Sequence, residues 1–547
     1  MTIQNYDYII IGGGSAGCVL ANRLSADKNN SVCLLETGPK DNSPLVTMPI
    51  GVIGLMDSKK YNWMFNSQPE PTQNDRTIYC PRGKVLGGSS AVNAMLYTRG
   101  TPSDYDHWAS LGNKGWAYND ILPYFKSTQH QERGENNFHG INGELNVAES
   151  RSNHPLGKTL LEACRQAGYQ DNEDFNGAQQ EGIGYYQVTQ INGERCSAAR
   201  GFLHPISHRK NLTIITEARV ARIRIENKLA EGVEYQQGGK LHSLKATKEV
   251  ILSAGSFCSP QLLMLSGIGP VEELARHQIP VKHNLPGVGE NLQEHVDIIT
   301  VNKSTKTNTV ALRPIGIAKI MKDIWHYITQ RKGFLTTSIV EVGGFIKSKP
   351  ELKDPDMQLQ FIPLVMEDHG RKKSTLLTYG YSLHNCLLRP KSRGRVSLHN
   401  SDFLQDPKIE LNMLSHPDDL ATMVEAVKIN LNIVSQQAFD DGRGKSIFPS
   451  QNSLTKNSLT KNSLSDKDIE EFVREKANHV YHPVGTCKMG HDKDAVVNDR
   501  LKVHGIAGLR VVDASIMPTL VAGNTNSPTI MIAAKAADMI LADHCSN

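Results

Sequence analysis

No two cysteines in this chain stand in a C-x-x-C pair, and the nine present (18, 33, 80, 164, 196, 258, 386, 487 and 545) are scattered and odd in number. That argues against a disulfide framework and favours a reducing compartment. Long apolar runs are also missing: none reaches the roughly 18–20 residues that cross a bilayer. No basic segment followed by an apolar stretch and a cleavage site opens the chain. A cytoplasmic protein is expected, with contact at the inner face of a membrane left open. Neither sign of charge dominates, with 60 Lys and Arg against 56 Asp and Glu. A net charge of +4 over 547 residues, without clustered Lys and Arg, argues against nucleic acid as a partner. The apolar content of 39% is ordinary for a soluble protein. The length calls for two domains or one large composite unit.

What is present starts at once. "YDYIIIGGGSAGCVLANRLSADKNNSVCLLETG" reads as strand, tight turn, helix and strand. Tyr6 to Ile11 form an apolar, β-branched run suited to a parallel central strand. Gly12, Gly14 and Gly17 give G-x-G-x-x-G, and Val19, Leu20, Ala21 and Leu24 supply a helix face. Val32 to Leu35 make the second strand, ending at Glu36. The glycines let the backbone approach a pyrophosphate, and the helix N-terminus offers it free N–H groups. An acid about 20 residues further on accepts from a ribose hydroxyl. Dinucleotide binding is the reading. "GGSAG" also matches the G-x-S-x-G elbow of serine hydrolases, with Ser15 as nucleophile. That fold places strands before its elbow, and the match leaves Gly12 and Glu36 without a role.

Two further stretches carry chemistry. "PRGKVLGGSSAVNAMLYTRG" (81–100) is no phosphate loop of the Walker type, because Lys84 is followed by Val85. It is too apolar for a free loop and suits a backbone pressed on a flat cofactor. "HVYHPVGTCKMGH" (479–491) holds three histidines and a cysteine. Pro483 and Gly485 break any helix that would align His479 with His482, and Cys487 has no cysteine nearby. A metal site is therefore not expected. A catalytic base and an ordinary structural histidine both remain open.

With these stretches, "GSFCSPQLLMLSGIGP" (255–270), "PGVGENLQEHVD" (286–297) and "VVDASIMPTLVAGNTNSPTIMIAAKAADMI" (511–540), the chain resembles the glucose–methanol–choline (GMC) oxidoreductases from end to end. The resemblance implies an α/β protein: a Rossmann-like FAD-binding domain with an antiparallel-sheet α+β substrate domain. FAD contacts are implied at Gly12, Gly14, Ser15, Ala16, Gly17, Glu36 and Arg82. Gly87, Gly88, Asn93, Ala94, Met95 and Val220 follow, then Ala254, Gly255, Asp513, Ala514, Asn526, Pro528 and Thr529. Val92 stands where some members attach FAD through a histidine, so non-covalent FAD is expected. His482 matches the family's active-site histidine, a base whose ordinary pKa of about 6.5 suits removal of a hydroxyl proton. Asn526 matches the second active-site position, with Asn524 as the alternative. His479 and His491 lack such support and are expected in solvent. Ser527 and Pro528 should start the last helix as N-cap and first residue.

Residues 1–148, 186–296 and 478–547 should form the FAD domain, and 149–185 with 297–477 the substrate domain. "LLRPKSRGRVSLHNSDF" (387–403) should give two strands of the latter. The repeat "NSLTKNSLTKNSL" (452–464) reads as a solvated loop. The resemblance is nearest to members that oxidise primary aliphatic alcohols to aldehydes and pass electrons to a quinone or another non-oxygen acceptor. Choline dehydrogenase and a peroxide-forming alcohol oxidase are the alternatives. Asp297 stands where choline-acting members carry a glutamate. Trp63 and Tyr481 are candidate substrate-lining aromatics.

Overall fold

The computed structural model describes residues 4–152, 154–307, 309, 311, 323–449 and 464–545. All of the 452–464 repeat except Leu464 lies outside the described residues. The opening apolar run forms the strand Gln4–Ile11. Tyr8 to Ile11 are at most 4% exposed, as a parallel strand covered on both faces requires. Val32–Leu35 and then Leu212–Ile215 lie parallel on one side, and Lys240–Leu252 lies parallel on the other. Leu509–Val511 adds a parallel partner to the end of Lys240–Leu252. Leu229–Gln237 and Arg219–Glu226 continue the sheet antiparallel, giving seven strands.

After the first strand the chain turns into the helix Ser15–Leu24. A Cβ on Gly17 would lie 1.9 Å from the Gly12 carbonyl oxygen, so turn and helix approach this closely only with glycine there. Val19, Leu20, Ala21 and Leu24 are fully buried, and the final helix Asn526–Cys545 packs on this helix. That final helix begins at Asn526, one residue before the expected Ser527 cap. Pro528 is its third residue, still in the turn where N–H groups lack intrahelical partners.

A second seven-stranded sheet is antiparallel throughout. Its order is Arg443–Phe448, Val296–Ser304, Gly380–Leu387, Met357–Ile362, Val342–Ile346 and Gly182–Tyr185, with Asn478–His479 paired to Val296–Ser304. The helices Pro155–Gln166 and Pro417–Ser435 pack against this sheet. The 387–403 segment departs from expectation. Only Leu387 belongs to this sheet, while Arg395–Ser397 pairs with Lys408–Glu410 in a separate two-stranded ribbon. Leu388 to Gly394 carry the chain away, and Gly394 instead bridges Leu292.

Candidate active site

A cavity of about 610 Å³ opens at the carboxyl ends of the parallel strands and reaches the face of the antiparallel sheet. Gly12, Glu36, Ser253 and Asp513, each just beyond a parallel strand, line one end. This is where open α/β sheets bind ligands, because the loops diverge there. The first turns of the helices Ser15–Leu24, Gly255–Leu265 and Asn526–Cys545 also border the cavity. Each brings unpaired N–H groups and partial positive charge toward it.

Glu36 accepts N–H bonds from Gly13 (2.8 Å) and Gly38 (2.7 Å). Burial outweighs these bonds and lifts its carboxyl to about 7. Asp513 accepts from the Gly255 N–H (2.9 Å), the Ser259 hydroxyl (2.6 Å) and the Ser515 N–H (2.8 Å). The 81–96 segment presses on the first glycine turn. Gly87 N–H donates to the Gly13 carbonyl at 2.7 Å, and a Cβ on Gly88 would sit 2.6 Å from Gly14 Cα. Met95 holds φ +61, and buried Arg195 donates to both oxygens of Asn93. The Ser253 hydroxyl is buried and has no protein partner. A glycine-walled cleft with a carboxylate just beyond the second parallel strand, three helix starts and an orphan hydroxyl fits a dinucleotide cofactor.

Of the implied cofactor residues, Gly17, Gly87 and Pro528 stand behind the wall, and the others line the cavity. Ser15 donates its hydroxyl to Asn526 Oδ1 at 2.7 Å. An amide oxygen cannot take a proton, so this partner does not make Ser15 a nucleophile.

At the far end, His482 Nε2 lies 3.1 Å from Asn524 Nδ2. This corrects the sequence assignment: Asn524, not Asn526, accompanies the histidine, because Asn526 turns into the helix toward Ser15. The Asn524 amide is oriented by its neighbours. Its oxygen lies 3.1 Å from Thr98 Oγ1 and 3.2 Å from Gln358 Nε2. Thr98 already accepts the Asn524 N–H, so its own hydrogen goes to Oδ1. The NH₂ therefore faces His482.

His482 Nδ1 lies 2.9 Å from His295 Nδ1, and His295 Nε2 lies 3.1 Å from the Leu388 carbonyl. Burial depresses both rings, His295 to about 4, and the nearby His295, Arg82 and His479 add to the effect at His482. A neutral His295 that donates from Nε2 has a lone pair on Nδ1. His482 must then donate from Nδ1, leaving its Nε2 lone pair toward Asn524 and the cavity.

Glu294, unnoticed in the sequence, fixes the loop. It accepts from the backbone N–H groups of His482 (2.6 Å) and His295 (3.0 Å), and from His479 Nδ1 (2.9 Å). His479 is thus buried rather than solvated. Its Nε2 faces the Tyr79 carbonyl at 2.9 Å. Burial works against a charge on this ring, but Glu294 and its other partners hold the pKa well above the ordinary value. His491 is exposed, as expected. Among the described residues no group of three or more His, Cys, Asp or Glu is arranged to hold a metal.

Tyr481 lines the cavity with φ +69, and Arg82 donates to its carbonyl at 2.6 Å. Trp63 also lines it, but its ring is taken. Phe65 stacks at 5.3 Å, and Arg219 and Lys84 approach at 5.0 and 5.6 Å. It is committed to packing and offers no open face to a substrate cation.

A parallel sheet with a glycine-rich turn, a buried acid and a histidine–asparagine pair across one cleft defines a dinucleotide-dependent oxidoreductase. More narrowly, the chain belongs to the GMC oxidoreductase family: the N-terminal family pattern matches residues 6–297 and the C-terminal pattern residues 390–533. It is 46% identical to an alcohol dehydrogenase (acceptor) of Pseudomonas putida, over 98% of this chain and 96% of the relative. It is 42% identical to a mitochondrial choline dehydrogenase of Mus musculus, over 98% and 89%. A solved formate oxidase of Aspergillus oryzae superposes with TM-score 0.91 at 26% identity, covering 100% of both chains.

Proposed function

We propose that this protein is an FAD-dependent alcohol dehydrogenase that oxidises a primary aliphatic alcohol to its aldehyde. One observation carries the reading: a buried, neutral His482 turns its Nε2 lone pair to the cavity beside the Asn524 amide, at 3.1 Å. A substrate hydroxyl that displaces this direct contact donates to Nε2 and accepts from the amide. His482 then takes the hydroxyl proton, and Asn524 stabilises the alkoxide that forms. Asn524 cannot act as a base, so proton removal falls to His482. FAD, when bound, supplies the acceptor for the hydride. Its implied holders are the glycine turn, Glu36 and Asp513, and Val92 offers no nucleophile for a covalent link.

The aliphatic preference is supported by Val52, Ile339, Val340, Ile362 and Leu364, which line the same cavity and belong to one apolar cluster. The electron acceptor is read as a quinone or other non-oxygen acceptor; the name of the Pseudomonas relative itself specifies only an acceptor. We place the protein in the cytoplasm at the inner membrane face; Trp325 and Ile328, 58% and 69% exposed, offer apolar side chains for such a contact. No helix among the described residues is long and apolar enough to cross a membrane. Anaerobic mixing of the holoprotein with a primary alcohol tests the reading. Flavin absorbance should bleach, and His482→Ala should slow bleaching at least about 100-fold while FAD stays bound. Unchanged bleaching in that variant would overturn it.

A further inference from the structure

The antiparallel sheet turns polar side chains to the cavity that the chemistry above does not use. Gln358, whose Nε2 meets the Asn524 amide oxygen at 3.2 Å, stands opposite Cys386, and Cys386 opposite Asp297. Two residues along the strand, Gln360 stands opposite His384, and His384 opposite Ile299. Residues two apart on a strand share a face, and so do residues directly opposite on neighbouring strands. Gln360, His384, Ile299 and Asp297 border the cavity. Asp297 is engaged at both oxygens: His384 Nδ1 meets Oδ2 at 2.6 Å, and the Cys386 thiol approaches Oδ1 at 3.4 Å. Gln360 differs. It is 7% exposed, and among the described residues its amide neither donates nor accepts a hydrogen bond. Beside it, His384 Nε2 is buried and without a partner as well. Ile362, two residues farther on, returns the cavity wall to apolar.

A side-chain amide has donors and acceptors to satisfy. Covered by a plain hydrocarbon chain, the Gln360 amide would lose water and gain no partner, which is costly. A hydroxyl both donates and accepts, so it meets the amide whichever way the amide is turned. Gln360 stands two strand residues beyond Gln358, the neighbour of Asn524. That step is about 7 Å, roughly the reach of five carbons. We propose that Gln360 is a specificity-determining residue: it takes a second hydroxyl of the substrate, so that the preferred alcohols are α,ω-diols of about five carbons. One hydroxyl reacts at His482 and Asn524 while the other is held by the Gln360 amide. The proposal rests on the alcohol-oxidation reading above.

Pentane-1,5-diol and hexan-1-ol differ only in a hydroxyl against a methyl at the far end. Each is mixed anaerobically with the holoenzyme, and flavin reduction is followed for kcat/KM. The wild type should prefer the diol by about 10-fold or more. Gln360→Met, which keeps the length of the side chain and removes its amide, should lose that preference while hexan-1-ol still bleaches the flavin. Equal or faster reduction by hexan-1-ol in the wild type, or a diol preference that survives in Gln360→Met, overturns the role of Gln360 and leaves alcohol oxidation standing. A wild type bleached by neither alcohol, nor by any primary aliphatic alcohol, overturns the underlying reading as well. Should the variant not fold, chain length in the wild type still decides. The diol preference should fall away when propane-1,3-diol is set against butan-1-ol, and nonane-1,9-diol against decan-1-ol. A preference that is flat across the three pairs refutes a subsite at a fixed distance.

Discussion

His295 never touches substrate in the scheme above, yet the lone pair on His482 depends on it. In His295→Leu the His482 Nδ1–H loses its acceptor. A buried donor left unpaired costs about 1–3 kcal/mol, and the other tautomer, with hydrogen on Nε2, avoids that cost. At about 2 kcal/mol the competent tautomer falls to a few per cent of the population, about a 30-fold loss at 1.36 kcal/mol per tenfold. Stopped-flow reduction of the flavin by saturating alcohol should slow by that factor, while the alcohol concentration for half-saturation holds. His295→Asn, whose amide oxygen can occupy the place of Nδ1, should restore the rate to within about fivefold of wild type. A leucine variant that retains FAD and reduces at the wild-type rate would refute the tautomer chain from the Leu388 carbonyl through His295 to His482.

Replacing Asn524 with Ala removes a donor aimed at the alkoxide and should cost about 100- to 1000-fold in flavin reduction; Asn526→Ala should leave that rate within about fivefold and instead weaken FAD retention on dilution. Glu36 has a folded pKa of about 7 against an ordinary 4.5, so the folded state holds the extra proton between those values. Stability of the cofactor-free protein should therefore fall as pH rises from about 4.5 to 7, by up to about 3 kcal/mol from this group. Denaturant titrations of Glu36→Gln should lack that share of the slope, and an identical slope would contradict the assignment. Gly88→Ala places a Cβ 2.6 Å from Gly14 Cα at a φ of +55; it should abolish FAD binding, read as loss of the yellow colour on gel filtration, whereas a normally coloured protein would contradict it.

Local chemistry wrote much of the cofactor end into the sequence. A β-branched run, three glycines, a helix face and an acid at the end of the next strand are consecutive, and their spacing follows from strand and helix geometry alone. The long motifs shared with the GMC family carried the fold class and His482. The sequence could not separate Asn524 from Asn526, two like residues in an irregular stretch where no periodicity assigns a direction. Nor could it show that His479 is buried, because its partner Glu294 is 185 residues away.

The sequence by itself determined the glycine turn and the acid at the end of the second strand, since these rest on contiguous residues, while likeness to the family singled out His482. Only the tertiary structure decided which nitrogen of that histidine is bare, which asparagine attends it and whether Asp297 is free. Those facts hang on hydrogen bonds between residues 187, 42 and 87 positions apart. A proton's position is set by whichever acceptor the fold brings within about 3 Å.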